Sequence, residues 1–127
     1  MSNNPQYEED AFVDNRRGAV VCDDDPLIVV IASALLRKEG FDVTAVATGA
    51  GLADLLASTS PELIVLDHEL PDATGEELVD IIKAAAPACR VIVFSGSTTP
   101  APGSAVFAWV LKQGTDELAA AIRRAAT

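Results

Sequence analysis

The sequence predicts an α/β fold, a parallel five-stranded sheet with helices on both faces. From Ala19 onward, short apolar runs alternate with segments of helical period, and this strand–helix alternation persists to the last residues. The chain has 127 residues, half of them apolar, which suits one domain with a single packed core. The residues just past the apolar runs are also unequal: acids, a hydroxyl and an amine follow four of the runs, whereas the second ends in Ala47 and Thr48. That asymmetry fits the strand order 2-1-3-4-5, with the second strand at an edge.

Residues 1–17 mix Asn, Glu, Asp and Arg around Tyr7, Phe12 and Val13 and read as a flexible tail, so the domain proper is expected over 18–127. Ala19 to Cys22 is the first strand, an apolar run that stops in acids. Pro26 fits a first helical position with Asp25 as N-cap; Ile28, Ile31, Ala32, Leu35 and Leu36 share a face, and Gly40 closes the helix. Val43 to Val46 is the second strand, and a short helix after Thr48 carries Leu52, Leu55 and Leu56. Leu63 to Leu66 is the third strand. Gly75 to Ala86 follows as a helix with Leu78, Ile81 and Ile82 inward, stopped by Pro87. Val91 to Phe94 and Phe107 to Leu111 are the last strands, and Thr115 caps a final helix with Leu118, Ile122 and Ala125 inward. Between Ser97 and Ala105, Pro100 and Pro102 oppose a helix, so a loop or a single turn is expected there.

Composition excludes several function classes. The net charge of −10 gives no basic footprint, which argues against direct nucleic-acid binding. No apolar run has the length of a membrane span, and the polar, acidic N-terminus does not read as a secretory signal; a cytoplasmic protein without membrane insertion is expected. Cys22 and Cys89 match no zinc or redox spacing and read as buried reduced thiols.

In an open parallel sheet all strand C-termini emerge on one edge, where ligands bind. The sequence therefore brings together Asp23 and Asp24 after the first strand, Asp67 after the third, Ser95 after the fourth and Lys112 after the fifth. Crowded carboxylates repel unless a cation intervenes, and hard Asp oxygens suit Mg²⁺. One carboxylate, placed between the metal and a lysine, can attack phosphorus in line and form an acyl phosphate. Taken singly, each residue has a plainer reading: a solvated turn and helix cap, a loop acid, a turn serine, a surface lysine. Jointly, four strand ends supplying these groups at one edge favour the functional one. His68, the single histidine, is expected to be a loop residue with no partner, directed away from Asp67. Glu69 either overhangs the site or is an exposed loop acid, and Arg123-Arg124 complements the dipole of the last helix.

Over roughly Gly18 to Ala126 the pattern resembles the receiver domain of two-component response regulators. The resemblance is carried by Val20-Val21-Cys22-Asp23-Asp24, by Leu63-Ile64-Val65-Leu66-Asp67 with Leu70-Pro71 and Gly75, by Val91-Ile92-Val93-Phe94-Ser95-Gly96, and by Trp109-Val110-Leu111-Lys112. It implies a flavodoxin-like, doubly wound sheet. It also implies an Asp67 that accepts a phosphoryl group from a sensor histidine kinase or a histidine phosphotransfer protein. Mg²⁺ would be held by Asp23, Asp24, Asp67 and the backbone carbonyl of Glu69, with Asp23 acting largely through water. Ser95 and Trp109 would form a switch pair, and Lys112 would contact the phosphoryl group. No enzymatic role beyond self-catalysed phosphotransfer and dephosphorylation is implied.

The chain departs from the family pattern at four places. Between Ser95 and Lys112 it is short by about one to two helical turns at 1.5 Å rise per residue, so the fourth helix is expected to be short or missing. Gln113 stands where proline is usual after the lysine; a cis bond there would cost about 2.5–4 kcal/mol, so a trans bond is expected. Trp109 stands where Tyr or Phe is usual, and Thr74 replaces an acid. Two other functions compete with phosphoacceptance: a pseudo-receiver that works as an interaction module without phosphorylation, and a Mg²⁺-dependent aspartyl-phosphate phosphatase. Against the latter, Asp67-His68-Glu69-Leu70 lacks the second Asp of a DxDx[TS] loop, and the chain has no room for a cap domain.

Overall fold

The computed structural model describes residues 17–96 and 105–127, and in these residues five parallel strands form one sheet with four helices against its faces. They are β1 (Arg17–Cys22), α1 (Pro26–Lys38), β2 (Phe41–Val46), α2 (Gly49–Leu56), β3 (Leu63–Asp67), α3 (Gly75–Ala85), β4 (Arg90–Ser95), β5 (Ala108–Leu111) and α4 (Asp116–Ala126). The sheet order is β2-β1-β3-β4-β5, as the strand-end asymmetry predicts. The expected tail over 1–16 and the expected loop or shortened helix over 97–104 lie outside the described residues. Arg17, the last residue of that expected tail, is instead the first of β1 and pairs with Phe41.

Side chains of successive strand residues point to opposite faces, and the sheet builds two cores in this way. On one face Ala19, Val21, Val65, Ile92, Phe94 and Val110 pack with Leu36 of α1 and with Leu118 and Ile122 of α4. On the other, Val20, Cys22, Ile64, Leu66, Val91 and Val93 pack with Leu52 of α2 and with Leu78 and Ile82 of α3. The fully buried β3 therefore reads as one continuous apolar run, the mark of a central parallel strand.

Capping chemistry fixes where the helices start. The Asp25 carboxylate accepts from the Leu27 amide at 2.9 Å, with Pro26 in the first turn. Thr48 caps α2 through the Gly51 amide, and Thr74 with Glu77 forms a reciprocal capping box on α3. Gly40 closes α1 at φ +93°, a left-handed conformation that a side chain resists.

Two expectations are corrected. Thr115 occupies the N-cap position of α4, but its hydroxyl makes no capping bond: its backbone is already helical (φ −97°, ψ −13°) rather than extended. Ile81 is 42% exposed, because the buried stripe of α3 runs through Leu78, Val79 and Ile82 and leaves Ile81 to one side. Cys22 and Cys89 are buried free thiols, as expected, and burial pushes them up to about 12 and about 11 respectively.

Candidate functional site

The register sets the site. Cys22 pairs with Leu66, Asp67 with Phe94 and Ser95 with Leu111, so the last residues of the strands are level. Asp23 follows β1 and is 2% exposed; its amide donates to the Val46 carbonyl at 3.1 Å, and its Oδ1 accepts from the Asp25 amide at 2.9 Å. Asp67 ends β3 at 8% exposure, and Ser95 ends β4 at 2%. Asp24, beside them, is exposed.

Carboxylate oxygens of Asp23, Asp24 and Asp67 lie within 4.8 Å of one another. The Lys112 ammonium reaches back from the end of β5 to Asp23 Oδ2 at 3.0 Å and to Asp67 Oδ1 at 3.2 Å. Three carboxylates against one ammonium leave two negative charges uncompensated, and an all-oxygen donor set of that charge fits Mg²⁺. The electrostatics carry the same signature. Burial, then the Asp23 charge, raises the Asp67 carboxyl above its ordinary range, against the Glu69 amide and Lys112, which lower it. Burial alone would lower the Lys112 ammonium, but hydrogen bonding and charge from Asp23, then Asp67, outweigh it and hold Lys112 up.

The backbone bond between Lys112 and Gln113 is trans, as expected, and it leaves the lysine inside the cluster. The Lys112 amide also donates to the Ser95 carbonyl at 2.8 Å, which ties the two strand ends together. Glu69 donates its amide to Asp67 Oδ1 at 3.3 Å while its side chain is exposed, so the plainer of its two side-chain readings holds.

The expectation of a partnerless His68 is corrected for its ring and holds for its nitrogen. The ring lies 4.9 Å from that of Trp109, tilted by 57°, whereas the buried Nδ1 has no hydrogen-bond partner among the described residues and lies 3.9 Å from the Glu76 carboxylate. Gly75 makes room for it: a Cβ there would sit 2.9 Å from His68 Nδ1 and 3.2 Å from its Cα. The Trp109 ring packs on the α2–α3 face of the sheet, the face that Asp67 does not use. The histidine contact passes across β4 to β5, so the run Asp67-His68-Glu69 by itself carries no signal of it.

The family model of the response regulator receiver domain matches residues 19–116, most of the chain. This chain belongs to that family. Curated relatives include the DNA-binding response regulator MtrA of Mycolicibacterium smegmatis, 30% identical over a match that covers 54% of this receiver domain's chain and 30% of MtrA. Another is the regulatory protein TorR of Escherichia coli, 36% identical over 44% of this chain and 24% of TorR. The matches thus span about a quarter to a third of those relatives. Among solved structures, the BeF₃-activated receiver domain of DrrB is 25% identical, with a TM-score of 0.77 over 87% of this chain and 97% of that one. The response regulator TrrA of Thermotoga maritima, solved in complex with Mg²⁺-BeF, shares the fold at a TM-score of 0.76 and 23% identity, over 86% of this chain and 98% of that one. The flavodoxin-like receiver fold is thereby established for this chain.

Proposed function

We propose that this receiver domain is a working phosphoacceptor, with Asp67 as the phosphorylated residue. The observation that carries the reading is Lys112, whose ammonium bridges Asp23 and Asp67 at 3.0 and 3.2 Å beside Asp24. Asp23, Asp24, Asp67 and the Glu69 backbone carbonyl would hold Mg²⁺. The bound ion would supply charge neutralisation for an incoming phosphoryl group. A carboxylate oxygen of Asp67 attacks phosphorus in line; the new P–O bond forms as the donor's P–N bond breaks, and the electron pair leaves with the imidazole nitrogen. Lys112, already at Asp67 Oδ1, orients the carboxylate and then balances charge on the phosphoryl oxygens. The Ser95 hydroxyl, at the end of the neighbouring strand, is the donor to a phosphoryl oxygen, and Trp109 repacks behind it.

The phosphoryl donor on this reading is a sensor histidine kinase or a histidine phosphotransfer protein in the cytoplasm. Leu27 and Val30 support a protein donor: they are 64% and 65% exposed on the first turns of α1, immediately after the acidic loop. The output passes to a downstream protein by contact. Among the described residues no helix is long and apolar enough to cross a membrane.

Incubation with Mg²⁺ and acetyl phosphate is expected to give an acid-stable, base-labile phosphoprotein, absent in Asp67→Asn. Equal labelling of that variant rejects the assignment. A wild type that stays unlabelled, and whose Trp109 emission ignores beryllofluoride with Mg²⁺, supports the pseudo-receiver reading instead.

A further inference from the structure

We propose that Asp72 is a positioning residue of this site: its carboxylate ties the tip of the loop after Asp67 to the first turn of α2 and so holds the Glu69 backbone beside the carboxylates. The consequence for Mg²⁺ rests on the phosphoacceptor reading; the tie itself does not.

The segment from His68 to Gly75 is a narrow hairpin. The Gly75 amide donates to the His68 carbonyl at 2.7 Å, Glu69 and Thr74 form an antiparallel bridge, and the Leu70 amide donates to Ala73 at 3.1 Å. Pro71 and Asp72 form the tip. There Asp72 Oδ1 accepts from the Gly49 amide at 2.8 Å and Oδ2 from the Ala50 amide at 3.0 Å, so both oxygens are engaged on one turn. Those amides belong to the start of α2, where backbone donors have no partner within the helix. Thr48 takes the next one, from Gly51, at 3.0 Å. The two side chains thus cap the same turn, but of the two only that of Asp72 comes from another part of the chain.

At the base of the hairpin, the hold of Glu69 on Asp67 is a single 3.3 Å bond, long for an amide donor. That bond alone holds the Glu69 amide loosely; beside the packing of Leu70 in the core and of His68 on Trp109, the bidentate grip at the tip is the polar anchor that ties the hairpin to α2. The two amides also hold the Asp72 carboxyl below its ordinary range, the Gly49 amide first, so the tie stays charged through neutral pH.

The experiment compares full-length wild type, Asp72→Ala, Asp72→Asn and Thr48→Ala. Thr48→Ala is the control, since it removes a cap from the same turn and leaves the tie. In metal-free protein, Asp72→Ala is expected to raise amide exchange at Leu70 and Gly75 about tenfold, with Val65 and Val93 unchanged; Asp72→Asn, which keeps one acceptor oxygen, falls between. Calorimetric titration with Mg²⁺ is expected to show binding weakened about five- to tenfold in Asp72→Ala, while acetyl phosphate labelling at saturating Mg²⁺ keeps its rate. Unchanged hairpin exchange in Asp72→Ala, or an equal effect in Thr48→Ala, overturns the tie. A loosened hairpin with unaltered Mg²⁺ affinity overturns its role at the site. Failure of wild type to bind Mg²⁺ overturns the functional reading, and the exchange rates still decide the tie.

Discussion

Asp67 ionises against burial and against Asp23, so its carboxyl is raised in the folded chain relative to the unfolded one. In the window between its ordinary range and its raised folded value, the folded state binds more protons, so stability falls as pH rises through that window. At neutral pH the ionised group therefore opposes folding. Asp67→Asn is expected to raise the melting temperature in metal-free buffer at pH 7, with the gain shrinking as pH is lowered through that window; an unchanged or lower melting temperature would count against it. Lys112 acts in the other direction. Its removal leaves the nearly inaccessible Asp23 without its cation, and breaking such pairs typically costs about 3–5 kcal/mol. Lys112→Met is expected to approach that loss in urea unfolding without metal, and to recover part of it in Mg²⁺. These charges were legible in the sequence because each stands at the end of an apolar run, where the strand period and parallel topology fix its position. Asp72 and His68 were not. Their partners, Gly49 and Trp109, lie in other elements, and no local pattern encodes a contact between a loop and a distant turn.

At the scale of elements, α3 separates burial from composition. Ile81 and Ile82 are identical residues in adjacent positions, one on the surface and one in the core. Ile82→Ala is expected to cost about 2–5 kcal/mol in denaturant unfolding, whereas Ile81→Ala should stay within about 0.5 kcal/mol of wild type. Helical period placed Leu78 and Ile82 correctly; it failed for Ile81, because an apolar stripe is narrower than the set of apolar residues on a helix. The caps Asp25 and Gly40 were readable, since a cap is a local contract between side chain and backbone. Thr115 shows the limit of that rule: residue type alone does not set the backbone angles that aim its hydroxyl. The boundary of β1 slipped to Arg17 for a related reason. A charged residue can begin a strand when its partners lie elsewhere, here the Glu62 carboxylate and the Ala126 carbonyl.

Across the whole molecule, charge is unevenly distributed: the chain carries −10 overall, and Asp23, Asp24 and Asp67 sit together at one edge of the sheet. Specific occupancy by a cation stabilises as its concentration passes its dissociation constant, by about 2.7 kcal/mol at a hundredfold excess over that constant. Mg²⁺ should therefore raise the melting temperature well beyond NaCl of equal ionic strength, and Asp24→Ala should remove most of the difference. At the opposite edge Arg17 reaches the Ala126 carbonyl and Arg90 the Ala125 carbonyl at 2.8 Å, so the first strand and the last helix meet there. A fold whose first strand and last helix are neighbours can be joined there and cut elsewhere. A circular permutant that joins Thr127 to Arg17 through a short glycine linker and opens in the exposed turn at Ser58 and Thr59 would leave all of the acidic edge intact. Phosphorylation of such a permutant at an unchanged rate would mean that the chemistry depends on how the strands are stacked and not on the order in which they are read.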